Sequence, residues 1–381
     1  LLGNNYDSVF LEGKYNRKFY LFFDGDILRK VVEYFISSKV ITVHEMDVCY
    51  KTIENRSIVL PKTKRGKPRK LNVSAINSFS GEGNYFYIMC NVEDKTGKVV
   101  IGNYTTQKTF YEDDIVDCGS FEDIKNWCDQ FVQTSTEDDL KDVQAFMKEK
   151  RQHVVYKAGD YFRVKLGRHQ YTYGRILLDI YKSKKNGLQY WNVLAGHPLL
   201  VETFHILTER SDVTVQELEN LPVFPSQHIM DNRFYYGEYP IIGHGDLPDI
   251  IKYPVMYGRS ISALSRDKMM FQCGTIYKEM TYSPEIIIRR DDFDLFSDFR
   301  NNGIGFGFTN NQATIKKCIE AKSNVPYWLD YPAMSKKDLR SVENREYLKA
   351  VLKQVDLEGL LEVYRYSDED ICLWESFFEK E

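Results

Sequence analysis

Histidine and cysteine, the side chains best suited to metal binding and nucleophilic chemistry, are few in this chain of 381 residues. There are seven of each, and no two cysteines have the CxxC spacing of common zinc and redox motifs. His244 and Asp246 lie two residues apart in a glycine-containing loop, but two loop ligands are a weak indication of a metal site. The sequence therefore predicts no metal site, and we interpret His244 as a hydrogen-bonded structural residue.

Motifs for nucleophilic catalysis and for nucleotide binding are also missing. The chain contains no GxSxG, no GxxxxGK[ST], and no GxGxxG between a strand and a helix. Cys49 lies near His44, and Cys273 precedes a glycine, yet neither has a signature that links the thiol to a base. A chain of this length needs no disulfide framework, so we expect reduced thiols. The sequence predicts no catalytic residue and no cofactor.

One short segment is strongly basic. Six of the nine residues from 62 to 70 are lysine or arginine, and Gly66 and Pro68 favour a loop. Such clusters can bind phosphate groups, although no aromatic residue lies among them to stack on a base. A solvated loop tip, or protection of a strand edge, is the alternative interpretation. The candidate phosphate-binding residues are Lys62, Lys64, Arg65, Lys67, Arg69 and Lys70.

Acidic residues form two clusters, although the formal net charge of the chain is only −4. Residues 110–150 contain 12 acidic and 4 basic side chains, a local net charge of −8. Residues 291–298 form the second cluster. Either cluster is ordinary solvated surface or attracts a basic partner. The candidate partner-binding residues are Glu112, Asp113, Asp114, Asp291, Asp292 and Asp294.

The length and the aromatic content indicate the fold class. A chain of 381 residues exceeds one ordinary core, and 27 tyrosines and 23 phenylalanines favour strands. We predict an α+β protein with two β-rich, mostly antiparallel domains over 1–150 and 151–330, the second curved or barrel-like. A helical C-terminal extension is predicted over 331–381. No apolar run approaches the roughly 18 residues of a membrane-spanning helix.

Several local elements are predicted in the first of these domains. Tyr85–Val92 and Lys98–Tyr104 flank a turn that ends in glycine, which predicts a β-hairpin. Ser120 and Thr136 each precede apolar residues at helical spacing, so both are predicted N-caps. Apolar residues at helical spacing between 27 and 36 predict a further helix.

Two motifs in the second domain carry a family resemblance. Residues 157–166 (KAGDYFRVKL) open a strand with a Gly-Asp pair, and residues 170–177 (QYTYGRIL) form an aromatic-rich strand with Gly-Arg. Residues 237–243 (GEYPIIG) follow as an aliphatic–glycine segment. In this order they resemble the immunity protein 26 family over about residues 155–260. The residues that match its motifs are Gly159, Asp160, Tyr171, Tyr173, Gly174, Arg175, Gly237 and Gly243.

These motif residues also have a structural interpretation. Gly159 lets the chain turn into the strand, and Asp160 can cap backbone amides at that turn. The two tyrosines of the second strand lie on one face because side chains alternate. Gly174 permits the close approach of a neighbour, and Arg175 is predicted to pair with Asp160 across the hairpin. A ligand-binding role is the alternative.

The resemblance implies a bacterial immunity protein of a polymorphic-toxin system. Such a protein stays in the cytoplasm, binds its cognate toxin and needs no chemistry of its own. The toxin is then the expected partner, whereas nucleic acid and membrane are not expected, and the oligomeric state is left open. Two alternatives remain: a nucleic-acid-associated phage-defence or regulatory protein that uses the 62–70 loop, and an enzyme with an unrecognised site.

Overall fold

The computed structural model describes residues 6–190, 196–224, 226–249, 251, 253–259, 268–281, 319–320 and 345–360. The chain divides into two compact units, Leu1–His153 and Val154–Glu381. All the strand pairs described in either unit are antiparallel, and helices are short and few, so the β-rich, antiparallel part of the fold prediction is confirmed. Among the described residues, no helix is both long enough and apolar enough to span a bilayer.

The first unit is a meander of antiparallel strands with two helices after it. Its strands run in the sheet order β1-β2-β3-β4-β7-β8-β9, with the short β5 paired to β4 and to β6. Its elements are β1 Asp7–Glu12, β2 Arg17–Asp24, β3 Ile27–Ile36, β4 Val40–Ile53, β5 Ile58–Val59, β6 Arg69–Lys70, α1 Val73–Ile76, β7 Asn84–Asn91, β8 Thr96–Asn103, β9 Lys108–Val116, α2 Phe121–Gln133 and α3 Glu137–Lys148.

Both faces of this sheet carry apolar clusters. One face packs Val43, Ile88 and Val99 against side chains of α2 such as Ile124. The other face packs strand residues such as Phe19 against the segment around α1. Because the sheet is covered on both sides, strands near its middle are apolar at successive positions rather than at alternate ones.

The helix predicted over 27–36 is wrong, since Ile27–Ile36 is strand β3 and pairs with β2 and β4. Val31 belongs to the core on one face of the sheet, and its neighbour Val32 belongs to the core on the other. Burial on both faces removes the alternation that identifies a strand, so the apolar spacing resembled that of a helix.

The other local predictions in this unit are confirmed. Strands β7 and β8 form the expected hairpin, with Asn91 opposite Thr96. The Ser120 side chain accepts a hydrogen bond from the Asp123 amide at the start of α2. Thr136 and Asp139 form a reciprocal capping box at the start of α3. These signals are local, and tertiary contacts did not override them.

The cysteines differ from the expectation of reduced thiols. Cys90, on β7, and Cys118, just after β9, are joined in a disulfide with 5.6 Å between their Cα atoms. Both lie in the buried cluster beneath α2. Cys49 and Cys128 are free thiols in the part of the chain that the structure describes.

The second unit contains a five-stranded sheet and a three-stranded sheet. The strand orders are β13-β12-β11-β10-β14 and β15-β16-β17. Its elements are β10 Asp160–Leu166, β11 Gln170–Asp179, α4 Ile180–Lys185, β12 Pro198–Thr203, α5 Val215–Leu218, β13 Gln227–Met230, α6 Asn232–Tyr235, β14 Ile241–His244, β15 Val255–Arg259, β16 Lys268–Cys273, β17 Ile276–Thr281 and α7 Arg345–Gln354.

The five-stranded sheet does not close into a barrel within the described residues, so the barrel-like alternative of the fold prediction is wrong, and the curved alternative stays a prediction. Its two edges are the four-residue strands β13 and β14, which do not pair with each other. Both of its faces are nonetheless buried, one against a cluster that includes Phe162 and Phe234, the other against one that includes Tyr161 and Phe204.

The predicted helical extension over 331–381 is supported only in part. Helix α7 is described, and its residues Leu348, Val351 and Leu352 pack in one buried cluster with Phe271 of β16. Residues 331–344 and 361–381 lie outside the described residues. The described helix therefore completes the core of the three-stranded sheet, and a longer helical extension is not established.

Candidate functional site

The motif residues meet at one edge of the five-stranded sheet. Strand β10 pairs with β11 on one side and with β14 on the other. In these ladders Tyr161 lies opposite both Arg175 and Gly243, and Asp160 lies opposite His244. We call Gly159, Asp160, Gly174, Arg175, Gly243 and His244 the motif site. The Gly-Asp and aliphatic–glycine segments, far apart in sequence, are thus neighbours in the sheet.

Gly159 forms the entry to β10 and has no room for a side chain. Its φ angle is +88°, and a Cβ atom would lie 2.5 Å from the Gly245 carbonyl oxygen. Its amide donates to the Ile176 carbonyl at 2.8 Å, and its own carbonyl accepts from the Gly245 amide at 3.0 Å. Only glycine combines this backbone conformation with this close approach, so the predicted turning role is confirmed.

Asp160 joins the start of β10 to the end of β14. Its carboxylate, only 8% exposed, accepts from the Lys157 amide at 2.8 Å and lies 2.8 Å from His244 Nδ1. A carboxylate only accepts, so Nδ1 carries the proton in this contact. The His244 side chain is 49% exposed. Asp160 therefore caps the turn as predicted, and it also orients an imidazole whose outer part faces solvent.

The predicted pairing of Arg175 with Asp160 is wrong. Arg175 donates to Glu202 Oε1 from Nε at 2.9 Å and from Nη2 at 2.5 Å. It also donates to the Tyr161 hydroxyl at 3.1 Å and to the Asp246 carbonyl at 2.9 Å. Arg175 lies opposite Tyr161 in the ladder, so it shares that residue's face, and Asp160 lies on the other.

The Arg175–Glu202 ion pair is buried, with side chains 11% and 6% exposed. Burial raises the pKa of Glu202, and the Arg175 guanidinium opposes this shift. Burial also raises the pKa of the Tyr161 hydroxyl, again against the effect of Arg175. The Arg175 guanidinium thus balances the charge of the Glu202 carboxylate and holds the Tyr161 hydroxyl in place by a hydrogen bond.

The sequence analysis did not identify Glu202. The signal that could have identified it is a single charged residue among the apolar residues of a strand. Glu202 lies in β12, Pro198–Thr203, and all six residues of that strand are buried. A carboxylate in such a strand requires a buried partner.

Of the two motif tyrosines, one lies in the core and the other is only partly buried. Tyr173 is fully buried, and its hydroxyl donates to the Arg210 carbonyl at 2.7 Å. Tyr171 is partly buried, with the Arg163 guanidinium 5.1 Å from its ring centroid. They share one face, as alternation predicts, and that face is covered.

The other motif glycines also allow close packing or an unusual backbone. A Cβ atom on Gly174 would lie 2.5 Å from the Glu202 carbonyl oxygen, and would also overlap the Phe162 ring. A Cβ atom on Gly243 would meet Val215 Cγ2 at 2.5 Å. Gly237 has a φ angle of +74° in the turn after α6. The close approach predicted at Gly174 is therefore present.

The structure does not bring His244 and Asp246 together with a third ligand. In the described part of the chain, no group of three or more histidine, cysteine, aspartate or glutamate side chains is arranged to hold a metal ion. His244 contacts Asp160 instead, and Asp246 accepts through its backbone carbonyl. The hydrogen-bonded interpretation of His244 is confirmed.

The acidic candidates of the first unit lie on β9, at one edge of its sheet. Asp113 and Asp114 are exposed, whereas Glu112 is half-buried and forms an ion pair with Lys98. The Tyr111 hydroxyl donates to Asp113 at 2.7 Å. Because side chains alternate, Asp113 projects from one face of the sheet and the other two from the opposite face. Asp291, Asp292 and Asp294 lie outside the described residues.

The basic candidates form the tip of a hairpin between β5 and β6. The Thr63 amide donates to the Lys67 carbonyl at 3.0 Å, which closes the turn, and Gly66 adopts a φ angle of +73°. Lys62, Lys64, Arg65, Lys67 and Lys70 are exposed, and Arg69 donates to Ser78 at 2.8 Å.

The motif site belongs to a β-rich domain whose charged and small residues fix the pairing of strands. Residues 157–268, less than a third of the chain, match the family model of immunity protein 26, which confirms the resemblance over this segment. No curated protein and no solved structure matches the chain.

Proposed function

We propose that this chain is a cytoplasmic immunity protein that binds a cognate bacterial toxin and neutralises it without chemistry of its own. The observation that carries the proposal is the family match over 157–268. The matched segment contains both motifs, and these are assembled as adjacent strands at the motif site.

The contacts of the motif residues favour binding over catalysis. Asp160 is held by a backbone amide and by His244, and Arg175 is held by Glu202 and Tyr161. A catalytic acid or base must be able to reach a substrate proton. These contacts hold the strands together as a rigid sheet that supports a partner-binding surface. The toxin itself is bound at a part of the surface outside the motif site.

The acidic edge of β9 is our candidate for attracting the toxin. Asp113 and Asp114 are exposed there, and β9 is the edge strand of its sheet. Exposed charges act mainly on the rate of association, through attraction that salt screens. A toxin with a basic surface, as expected of a nuclease, is the complementary partner.

The proposal is tested by affinity capture from the native host, followed by binding kinetics with the captured toxin. Charge reversal of Glu112, Asp113 and Asp114 to lysine is expected to slow association by about tenfold at low salt, and by less as salt rises. The matched control reverses three acidic residues at distant turns of the same unit, Asp24, Asp26 and Glu54, and is expected to leave the rate unchanged.

The two halves of this experiment separate two claims. If a toxin is captured but both triple variants associate at the wild-type rate, the acidic edge is not used and toxin binding stands. If no toxin encoded beside this chain is captured, the immunity function is rejected.

A second candidate function is supported by the exposed hairpin tip. Its lysines and arginines lie at the surface in one turn, which suits contact with a phosphate backbone. A regulatory or phage-defence protein that uses this tip is expected to bind nucleic acid with an affinity that falls steeply with salt. Substitution of Lys62, Lys64, Arg65 and Lys67 by serine then abolishes binding, and salt-independent or absent binding excludes this function. For an enzyme with an unrecognised site, the described residues offer the half-exposed imidazole of His244, oriented by Asp160, and no group that could hold a metal ion.

A further inference from the structure

The first unit contains a cavity. No motif residue lines it, and it lies outside the segment that matches the family. Its volume is about 310 Å³, and it lies on the sheet face that packs against the segment after α1. That volume is at the lower end of the range for small-molecule sites, about 300–1,000 Å³. Its floor is apolar, formed by Val31, Met46 and Ile76. The cavity lies outside the segment 157–268, so it is independent of the proposed function.

Two aromatic rings line the cavity, and each packs against a second aromatic ring. Phe79 stacks on Tyr50 with ring centroids 4.1 Å apart, and Tyr104 stacks on Tyr85 at 4.3 Å. Gly81 lies against the Tyr104 ring, where a Cβ atom would come within 2.5 Å of Cε2. Rings that are fixed before binding lose little entropy when a ligand packs on them.

The polar groups of the cavity offer both donors and acceptors. His44 Nε2 lies 2.9 Å from the Tyr104 hydroxyl. Arg17 donates from Nε to Glu33 at 2.5 Å and from Nη2 to the Asn77 side-chain oxygen at 3.1 Å. These groups lie above the apolar floor, so a ligand in the cavity can stack on a ring and still form hydrogen bonds.

The cavity has no net charge at neutral pH. The guanidinium of Arg17 is balanced by the carboxylate of Glu33 in the same ion pair. Burial lowers the pKa of His44, and Glu33 only partly opposes this shift, so the imidazole is neutral at pH 7. A phosphate, a dicarboxylate or a polyamine would bring a charge with no free counter-charge among the lining residues, and its desolvation would disfavour binding.

These observations define one ligand class. We propose that the cavity between Phe79, Tyr104 and the Arg17–Glu33 pair binds a neutral, planar nitrogen heterocycle, namely a purine base or its nucleoside. Aromatic side chains stack on the faces of such rings. The ring edge carries donors and acceptors side by side, which matches the mixed polar groups of Asn77, His44 and Glu33. The small volume excludes a dinucleotide.

Saturation-transfer NMR and calorimetry on the full chain, with adenosine, guanosine, adenine and guanine as probes, test this proposal. We expect saturable binding of at least one probe, and about tenfold weaker binding of the corresponding nucleoside 5′-monophosphate. Asn77→Ala changes an exposed side chain of the polar rim and is expected to weaken binding about fivefold. Phe79→Leu keeps the apolar packing but removes the stacking ring, and is expected to weaken it about tenfold.

The control is Phe10→Leu, since Phe10 is an aromatic residue of the same unit, 48% exposed and not part of the cavity lining. It is expected to bind as the wild type does. Thermal melts confirm that each variant is folded, and Asn77→Ala provides the test if Phe79→Leu unfolds. The proposal is overturned if no probe binds at millimolar concentration, if the monophosphate binds as well as the nucleoside, or if binding is equal in Asn77→Ala, Phe79→Leu and Phe10→Leu.

Discussion

At the scale of residues, the buried Arg175–Glu202 pair makes the second unit sensitive to the loss of one charge. Glu202→Gln leaves the guanidinium buried without its counter-charge, which costs about 3–5 kcal/mol in comparable pairs. We expect a decrease of this order in the free energy of unfolding, measured by urea denaturation. The control, Asp212→Asn, removes an exposed partner of Arg210 and is expected to have no measurable effect. Equal effects of the two changes would contradict the account of the motif site.

Gly174 is a second sensitive residue, because its neighbours leave no space for a side chain. Gly174→Val would force a branched side chain against Phe162 and the Glu202 carbonyl, and such overpacking costs about 1–3 kcal/mol or more. We expect a lower melting temperature by differential scanning calorimetry. Gly359→Val is the control, because a Cβ atom there meets nothing within 4 Å. An unchanged melting temperature in Gly174→Val would show that the glycine is not required for packing.

His44 gives the first unit a predictable dependence on pH. Burial lowers the pKa of its imidazole below the ordinary value of 6.5, so on acidification the unfolded chain takes up this proton first. The stability linked to His44 is therefore complete above pH 6.5 and is lost as the pH falls below that value. We expect the free energy of unfolding to fall less between pH 7 and pH 5 in His44→Gln than in the wild type. Parallel curves would show that this imidazole is not buried.

At the scale of elements, the hairpin tip between β5 and β6 is the expected site of first proteolysis. Lys64 and Arg65 are exposed in a tight turn, whereas Arg163 and Arg175 lie in paired strands. Exposed loop tips are cut before strands because they fit a protease without unfolding. Limited trypsin digestion followed by mass spectrometry should show cleavage at Lys64 or Arg65 first. Primary cleavage after Arg163 or Arg175 would contradict the β10–β11 pairing.

Elements defined by local signals could be predicted from the sequence, and elements defined by tertiary contacts could not. The β7–β8 hairpin and the caps at Ser120 and Thr136 depend on neighbouring residues only. Strand β3 was misassigned because both of its faces are buried. The buried position of Glu202 in β12 could not be predicted, because the continuous burial of that strand hides the alternation.

At the motif site, too, local features could be predicted from the sequence and tertiary contacts could not. Alternation placed the tyrosines of β11 on one face, and the Gly-Asp turn was predictable from residue types. The pairing of β10 with β14 was not, because no local pattern links segments so far apart in the sequence. For the same reason the sequence could not show that Arg175 pairs with Glu202 of β12 instead of Asp160 of β10.

At the scale of the whole molecule, the chain combines a unit that contains the family-matched segment with a unit that lies outside it. The matched segment lies entirely in the second unit. The first unit contributes an acidic strand edge, a basic hairpin tip and a neutral cavity. We propose that toxin recognition involves the protein as a whole, and we expect neither unit to need a metal or a cofactor for it.

Growth protection is the most direct test of this central claim. The toxin encoded beside this chain is induced in a sensitive host together with the wild-type chain, with Glu202→Gln, or with an empty vector. The account predicts full growth with the wild-type chain, arrest with the empty vector, and reduced protection by Glu202→Gln in proportion to its loss of folded protein. Arrest of cells that contain abundant, folded wild-type protein would contradict the immunity function.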